Sequence, residues 1–130
     1  MTRVLIDTQA LIWFAENSPN LSQRAVTLVD DSQTARLASV ASLWEMAIKI
    51  GLGKLSLLSG NLPQFISILQ ANQIELLPIT WEDAPAVADL PQLAHKDPFD
   101  RLIAAQCLRL DLTLVSVDEA FDDYGVRRVW

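Results

Sequence analysis

Two short apolar runs, each closed by an acid, constrain the fold most. Val4-Leu5-Ile6 is followed at once by Asp7, and Leu112-Thr113-Leu114-Val115-Ser116-Val117 by Asp118. A strand apolar at successive positions is covered on both faces, as a central strand is in a parallel sheet flanked by helices. Elsewhere the chain alternates short apolar segments with segments of helical periodicity, so the pattern predicts an α/β architecture. No repeat, low-complexity tract or linker interrupts it, and 130 residues suit one domain, 1–130.

Local signals divide the chain further. Thr8 to Ala15 reads as a helix broken by Ser18-Pro19-Asn20, and Ser22 is a candidate cap for a second helix through Leu28. Arg36-Leu37-Ala38 and Ile74 to Ile79 read as strands. Between them, Ser39 to Ile50 predicts an amphipathic helix whose apolar face is Val40, Leu43, Trp44, Ala47 and Ile48, ended by Gly51 and Gly53. Asn61-Leu62-Pro63 starts another helix, with Pro where its missing N–H is harmless. Thr80 is a candidate cap for a short helix reaching about Leu90. Asp97-Pro98 opens the clearest helix, to about Leu110, and Arg127 to Trp130 suggests a last edge strand.

An apolar fraction of 51% is enough for a real core and excludes a disordered chain. No run of 18 apolar residues is present and Asp7 comes too early for a signal peptide, so neither a membrane span nor export is expected. Cys107 has no second cysteine to pair with and reads as an inert core thiol; the expected compartment is the cytoplasm. The net charge of −6 argues against nucleic-acid binding unless several acids converge on divalent cations, and it equally suits a basic protein partner.

Asp7 and Asp118 stand where open α/β sheets collect ligands, beyond the carboxyl ends of strands. Two carboxylates there repel unless a cation lies between them, and without a Cys/His cluster Mg²⁺ or Mn²⁺ is the natural ion; the other reading is that each acid only caps a helix. Asp97 and Asp100 share one face of a helix start, as ligands or as N-cap and first-turn acid. Glu45 lies off the expected apolar face, with Lys49 four residues on as a surface ion-pair partner. His95, the only histidine, suits a turn-stabilising bond or a substrate contact. Lys49, Lys54, Lys96 and Arg101 suit an RNA rim or plain solvated surface, and the four tryptophans suit core or partner surface. No serine is positioned beside the histidine, and no phosphate-cradling glycine loop occurs.

Taken together, Leu5-Ile6-Asp7-Thr8, the stretch from Ser39 to Lys54 (SVASLWEMAIKIGLGK), His95-Lys96-Asp97-Pro98-Phe99-Asp100-Arg101-Leu102-Ile103-Ala104-Ala105-Gln106 and Leu114-Val115-Ser116-Val117-Asp118 resemble the PIN-domain family. They look most like a VapC-like bacterial branch with a Trp-Glu helix and a His-x-Asp-Pro-Phe-Asp-Arg segment. Each motif is weak alone; four in order, spanning Val4 to Trp130, are specific.

The resemblance implies a three-layer α/β/α fold and an acidic site that binds Mg²⁺ or Mn²⁺ and cleaves RNA phosphodiesters. Carried onto this chain, the quartet is Asp7, Glu45, Asp100 and Asp118, with Asp97 a secondary metal ligand, Thr8 and Ser116 supporting, and His95, Lys49 and Arg101 as RNA contacts. It reverses the surface reading of Glu45. It also implies 5′-phosphate and 3′-hydroxyl products, an antitoxin partner that covers the cleft, and a homodimer. Gln9 stands where the branch often has His, and Asp83-Ala84 where it often has His-Ala. The rivals are a non-catalytic PIN-like RNA- or protein-binding module and a phosphatase or phosphoacceptor domain. A phosphatase would place a second Asp two residues after Asp7, where Gln9 stands.

Overall fold

The computed structural model describes residues 2–93 and 96–130. His95, the expected turn or substrate residue, lies outside them.

The central strand is β1 (Thr2–Ile6), and the five-stranded sheet runs β3-β2-β1-β4-β5 with every pairing parallel. Here β2 is Thr34–Ser39, β3 Glu75–Leu77, β4 Thr113–Val115 and β5 Arg128–Val129. Parallel neighbours need crossovers, and the helices supply them: α1 (Thr8–Ala15) and α2 (Gln23–Asp30) link β1 to β2, while α3 (Val40–Gly51) and α4 (Leu62–Ala71) link β2 to β3. The pair α5 (Asp83–Ala88) and α6 (Pro98–Leu110) leads to β4, and a 3-10 helix, Glu119–Tyr124, to β5.

Alternation along β1 separates two cores. Val4 and Ile6 join Leu11, Met46, Phe65 and Leu69 on one face, while Leu5 joins Leu37, Ile103, Leu114 and Phe121 on the other. The result is the expected three layers. Helix α3 contributes to both cores, Ala41 to one and Met46 to the other, and touches α1, α4 and α6.

Most helix starts follow their local chemistry. Asp7, Ser22, Ser39 and Asp97 each accept a backbone N–H of the helix they open, and Asn61 and Gln64 form a reciprocal capping box. Thr80 departs from expectation. Glu82 occupies the cap position of α5 but its side chain makes no capping bond, and the Thr80 N–H is itself held by the Asp83 carboxylate at 3.0 Å. The strand expected over 112–117 is pleated only from Thr113 to Val115. That expected over 74–79 is likewise reduced to Glu75–Leu77.

The larger correction concerns the rotation of α3. Its buried residues are Ala41, Ser42, Leu43, Glu45 and Met46, whereas Trp44 is 57% and Ile48 40% exposed. The helix carries apolar residues around most of its circumference, so periodicity does not choose the face; contacts with α1, α4 and α6 do. None of the four tryptophans is fully buried. Trp13 and Trp130 pair with ring centroids 5.7 Å apart, Trp44 meets Phe99 edge-on, and Trp81 is exposed.

Candidate active site

The carboxyl ends of β1, β2 and β4 open together, and the site grows from the chain segments that leave them. Asp7 follows β1 directly and caps α1, its Oδ1 accepting the Thr8 N–H at 2.8 Å. Its Oδ2 accepts the Ser116 hydroxyl at 2.8 Å, and the Ser116 Oγ accepts the Asp118 N–H at 3.0 Å. One hydroxyl thus ties the first acid to the backbone of the last, which explains why a small hydroxyl residue stands two positions before Asp118. Asp118 caps the 3-10 helix through Ala120 N.

Glu45 enters from α3 and is only 6% exposed. Its Oε1 accepts the Thr8 hydroxyl at 2.8 Å, and its Oε2 meets the Lys49 ammonium at 2.7 Å. Thr8 Oγ1 also lies 2.8 Å from Ser42 Oγ. Thr8 has one hydroxyl proton, so Ser42 donates to Thr8 while Thr8 donates to Glu45. Ser42 was not singled out from sequence; its position one turn before Glu45 is the signal that would have found it.

Asp7, Glu45, Asp100 and Asp118 all line one cleft of about 500 Å³, together with Lys49 and Lys54. Gln9 lines it too, and Ile12, Met46 and Leu55 supply apolar walls. Burial, first of all, raises the Asp7 pKa above the ordinary carboxylate value, and the Glu45 and Asp118 carboxylates push the same way; the bonds from Ser116 and Thr8 oppose them. The cleft therefore disfavours a charge on Asp7.

The other expected site residues lie differently. Asp97 accepts the N–H groups of Phe99 and Asp100 at 2.9 and 3.0 Å, which is the work of an N-cap, and does not line the cleft. The Arg101 guanidinium lies 5.7 Å from the Tyr124 ring centroid and donates to Pro91 O and Tyr124 Oη. Cys107 is buried, and burial pushes its thiol pKa up to about 12, as an inert core cysteine requires.

Among the described residues no group of three or more acids, histidines or cysteines stands close enough together to hold a metal ion as it is. The donor chemistry of the cleft is nonetheless the kind a hard divalent cation takes. Its donors are carboxylate oxygens, and the mutual repulsion at Asp7 is what such an ion would relieve.

A parallel five-stranded sheet with helices on both faces and acids gathered at the carboxyl ends defines a class of α/β proteins with an acidic cleft. The sequence model of the PIN domain matches residues 4–126, and the chain belongs to that family. No curated protein is similar enough in sequence to match. Among solved structures, a chain of the DNA-bound VapBC2 complex of Rickettsia felis is 15% identical with a TM-score of 0.68, and the match covers 98% of each chain. A chain of the DNA-bound VapBC of Salmonella typhimurium is 18% identical with a TM-score of 0.67, over 99% of this chain and 98% of that one. A chain of FitAcB from Neisseria gonorrhoeae is 21% identical with a TM-score of 0.63, over 98% and 96%. At these identities the likeness is one of fold.

Proposed function

We propose that this PIN-domain protein is a cytoplasmic, metal-dependent ribonuclease and the toxin of a VapBC-like toxin–antitoxin pair. The observation that carries the reading is the convergence of Asp7, Glu45, Asp100 and Asp118 from four separate segments onto one cleft. In this reading the four carboxylates hold Mg²⁺ or Mn²⁺, which supplies charge neutralisation and water activation for hydrolysis of an RNA phosphodiester. Thr8 and Ser116 orient Glu45 and Asp7 through their hydroxyls. Asp97 contributes by capping and so anchoring the turn that carries Asp100. Lys49 and Lys54, at the cleft, are the cations placed to meet a phosphate, whereas Arg101 is engaged with Tyr124 and serves to hold α6.

Unpaired RNA loops suit an open cleft of this kind, because specific RNA recognition uses unstacked bases. The apolar strip of Trp44 and Ile48 beside Phe99 supports a protein partner, either the antitoxin or a second copy in a homodimer. Two of the solved structures of similar fold are VapBC2 and VapBC bound to DNA, which fits an antitoxin partner.

The test is cleavage of structured RNA by the purified protein with Mg²⁺ or Mn²⁺ and with chelator, beside Asp7→Asn and Asp100→Asn. The expected result is metal-dependent cleavage lost in both variants. A well-folded protein that binds neither ion and cleaves none of several RNAs would instead be a binding module.

A further inference from the structure

Glu45 holds a cation from its own helix. Lys49 Nζ stands 2.7 Å from Oε2, while Oε1 accepts from the buried Thr8 hydroxyl. Each oxygen therefore already has one protein partner. Of the two bonds, only that from Lys49 can open without disturbing the core. The Lys49 side chain is 49% exposed and the Glu45 side chain 8%. Asp97 and Asp100, at the start of α6, also act on the Lys49 charge, so the ammonium faces acids from α6 as well as its own helix. A lysine suits such a reversible contact. Its charge is a compact point on a flexible stem, without the planar two-pronged grip of arginine.

We propose that Lys49 is a tethered stand-in cation: its ammonium occupies Glu45 when the cleft holds no divalent ion, and metal binding requires that it leave. This rests on the metal-dependent reading above. The exchange keeps a cation at Glu45, a divalent ion taking the place of a monovalent ammonium, and it frees the ammonium beside the cleft. Lys49 is thus a positioning residue that sets how readily the site loads. It holds the buried Glu45 carboxylate in place in the unloaded protein at the cost of weaker metal affinity.

The experiment measures Mn²⁺ binding, by calorimetry and by the electron paramagnetic resonance of the free ion, for the native chain, Lys49→Met, Lys49→Gln and Lys54→Met. Lys54 lines the same cleft but makes no hydrogen bond to Glu45, so its variant removes an equal charge without the competition. Lys49→Met is expected to bind Mn²⁺ about five- to tenfold more tightly, as loss of a partly exposed ion pair and a nearby like charge implies. Lys49→Gln, which retains a neutral donor to Glu45, should fall between it and the native chain. Lys54→Met should change affinity by less than about twofold. Without metal, Lys49→Met should melt lower than the native chain, and saturating Mn²⁺ should close the gap. Unchanged or weaker binding by both Lys49 variants overturns the proposal while leaving the metal reading intact. An equal gain in Lys54→Met also overturns it, since the effect would then be a general field. No Mn²⁺ binding by any of these folded chains overturns the metal reading and this inference with it.

Discussion

Asp83 offers the sharpest test of what holds the sheet's far flank together. It is fully buried, and its carboxylate accepts four bonds. Arg109 Nη2 and Nε reach Oδ1 at 2.7 and 3.0 Å, while Thr80 N and Gln106 Nε2 reach Oδ2 at 3.0 and 3.1 Å. Gln106, also buried, passes the connection to the Ser39 hydroxyl at 2.6 Å, and Ser39 caps α3. The network therefore joins α5, α6 and the start of the helix that carries Glu45. Asp83→Ala removes the acceptor and strands its donors. Breaking a buried ion pair costs about 3–5 kcal/mol when the surviving charge has no recourse. Arg109 has some recourse, being 24% exposed and 3.6 Å from Glu82 Oε2, so its share falls toward the bottom of that range. The Gln106 amide nitrogen retains only Pro78 O at 3.4 Å. The net expectation is a loss of about 3 kcal/mol, or roughly 10 °C of melting temperature for a chain of this size. Urea denaturation followed by tryptophan fluorescence measures it, with Arg109→Met and the double variant completing a cycle. If Asp83→Ala costs less than about 1 kcal/mol, or the two changes simply add, the network is not the coupled buried unit described.

Two further outcomes follow from the site. The raised pKa of Asp7 means that the native state binds its proton more tightly than the unfolded chain does, so this group's contribution falls as pH rises through the native value. Asp7→Asn should therefore melt higher than the native chain at neutral pH without metal. The gap should shrink as pH falls toward the ordinary carboxylate range, and saturating Mn²⁺ should stabilise only the native chain; melting curves from about pH 4 to pH 8 check both. With its thiol pushed up to about 12 and buried, Cys107 should resist a thiol-modifying reagent at neutral pH in the native state and react only on unfolding. Rapid modification of folded protein would show that α6 opens locally.

Asp7 and Asp118 are legible in the amino-acid sequence because their positions are local facts, whereas the choice of Asp100 over Asp97 comes from the family resemblance. Asp7 ends an apolar strand, Asp100 lies in the first turn after an Asp-Pro cap, and Asp118 follows the last long apolar run. Glu45 is not legible in that way. Helical spacing alone puts it on the solvent side with Lys49, and only resemblance to a family with a Trp-Glu helix turns it inward. The structure has both features at once: Glu45 is buried and still bonded to Lys49, while the apolar Trp44 next to it faces out. A helix apolar on most sides contains no instruction for its own rotation. Asp83 and Gln106 escape notice for a related reason. Each is an ordinary polar residue in sequence, and a buried network exists only once α5 lies on α6.

Local chemistry thus specified where most strands and caps lie and that Asp7 and Asp118 end strands, because pleat, capping and burial periodicity act over a few residues. Tertiary packing decided which way α3 faces, that the Ser116 hydroxyl bridges Asp7 to Asp118, and that four acids more than a hundred residues apart at their extremes share one cleft. Those are consequences of parallel strands ending on the same side of one sheet, a relation between segments that none of them carries alone.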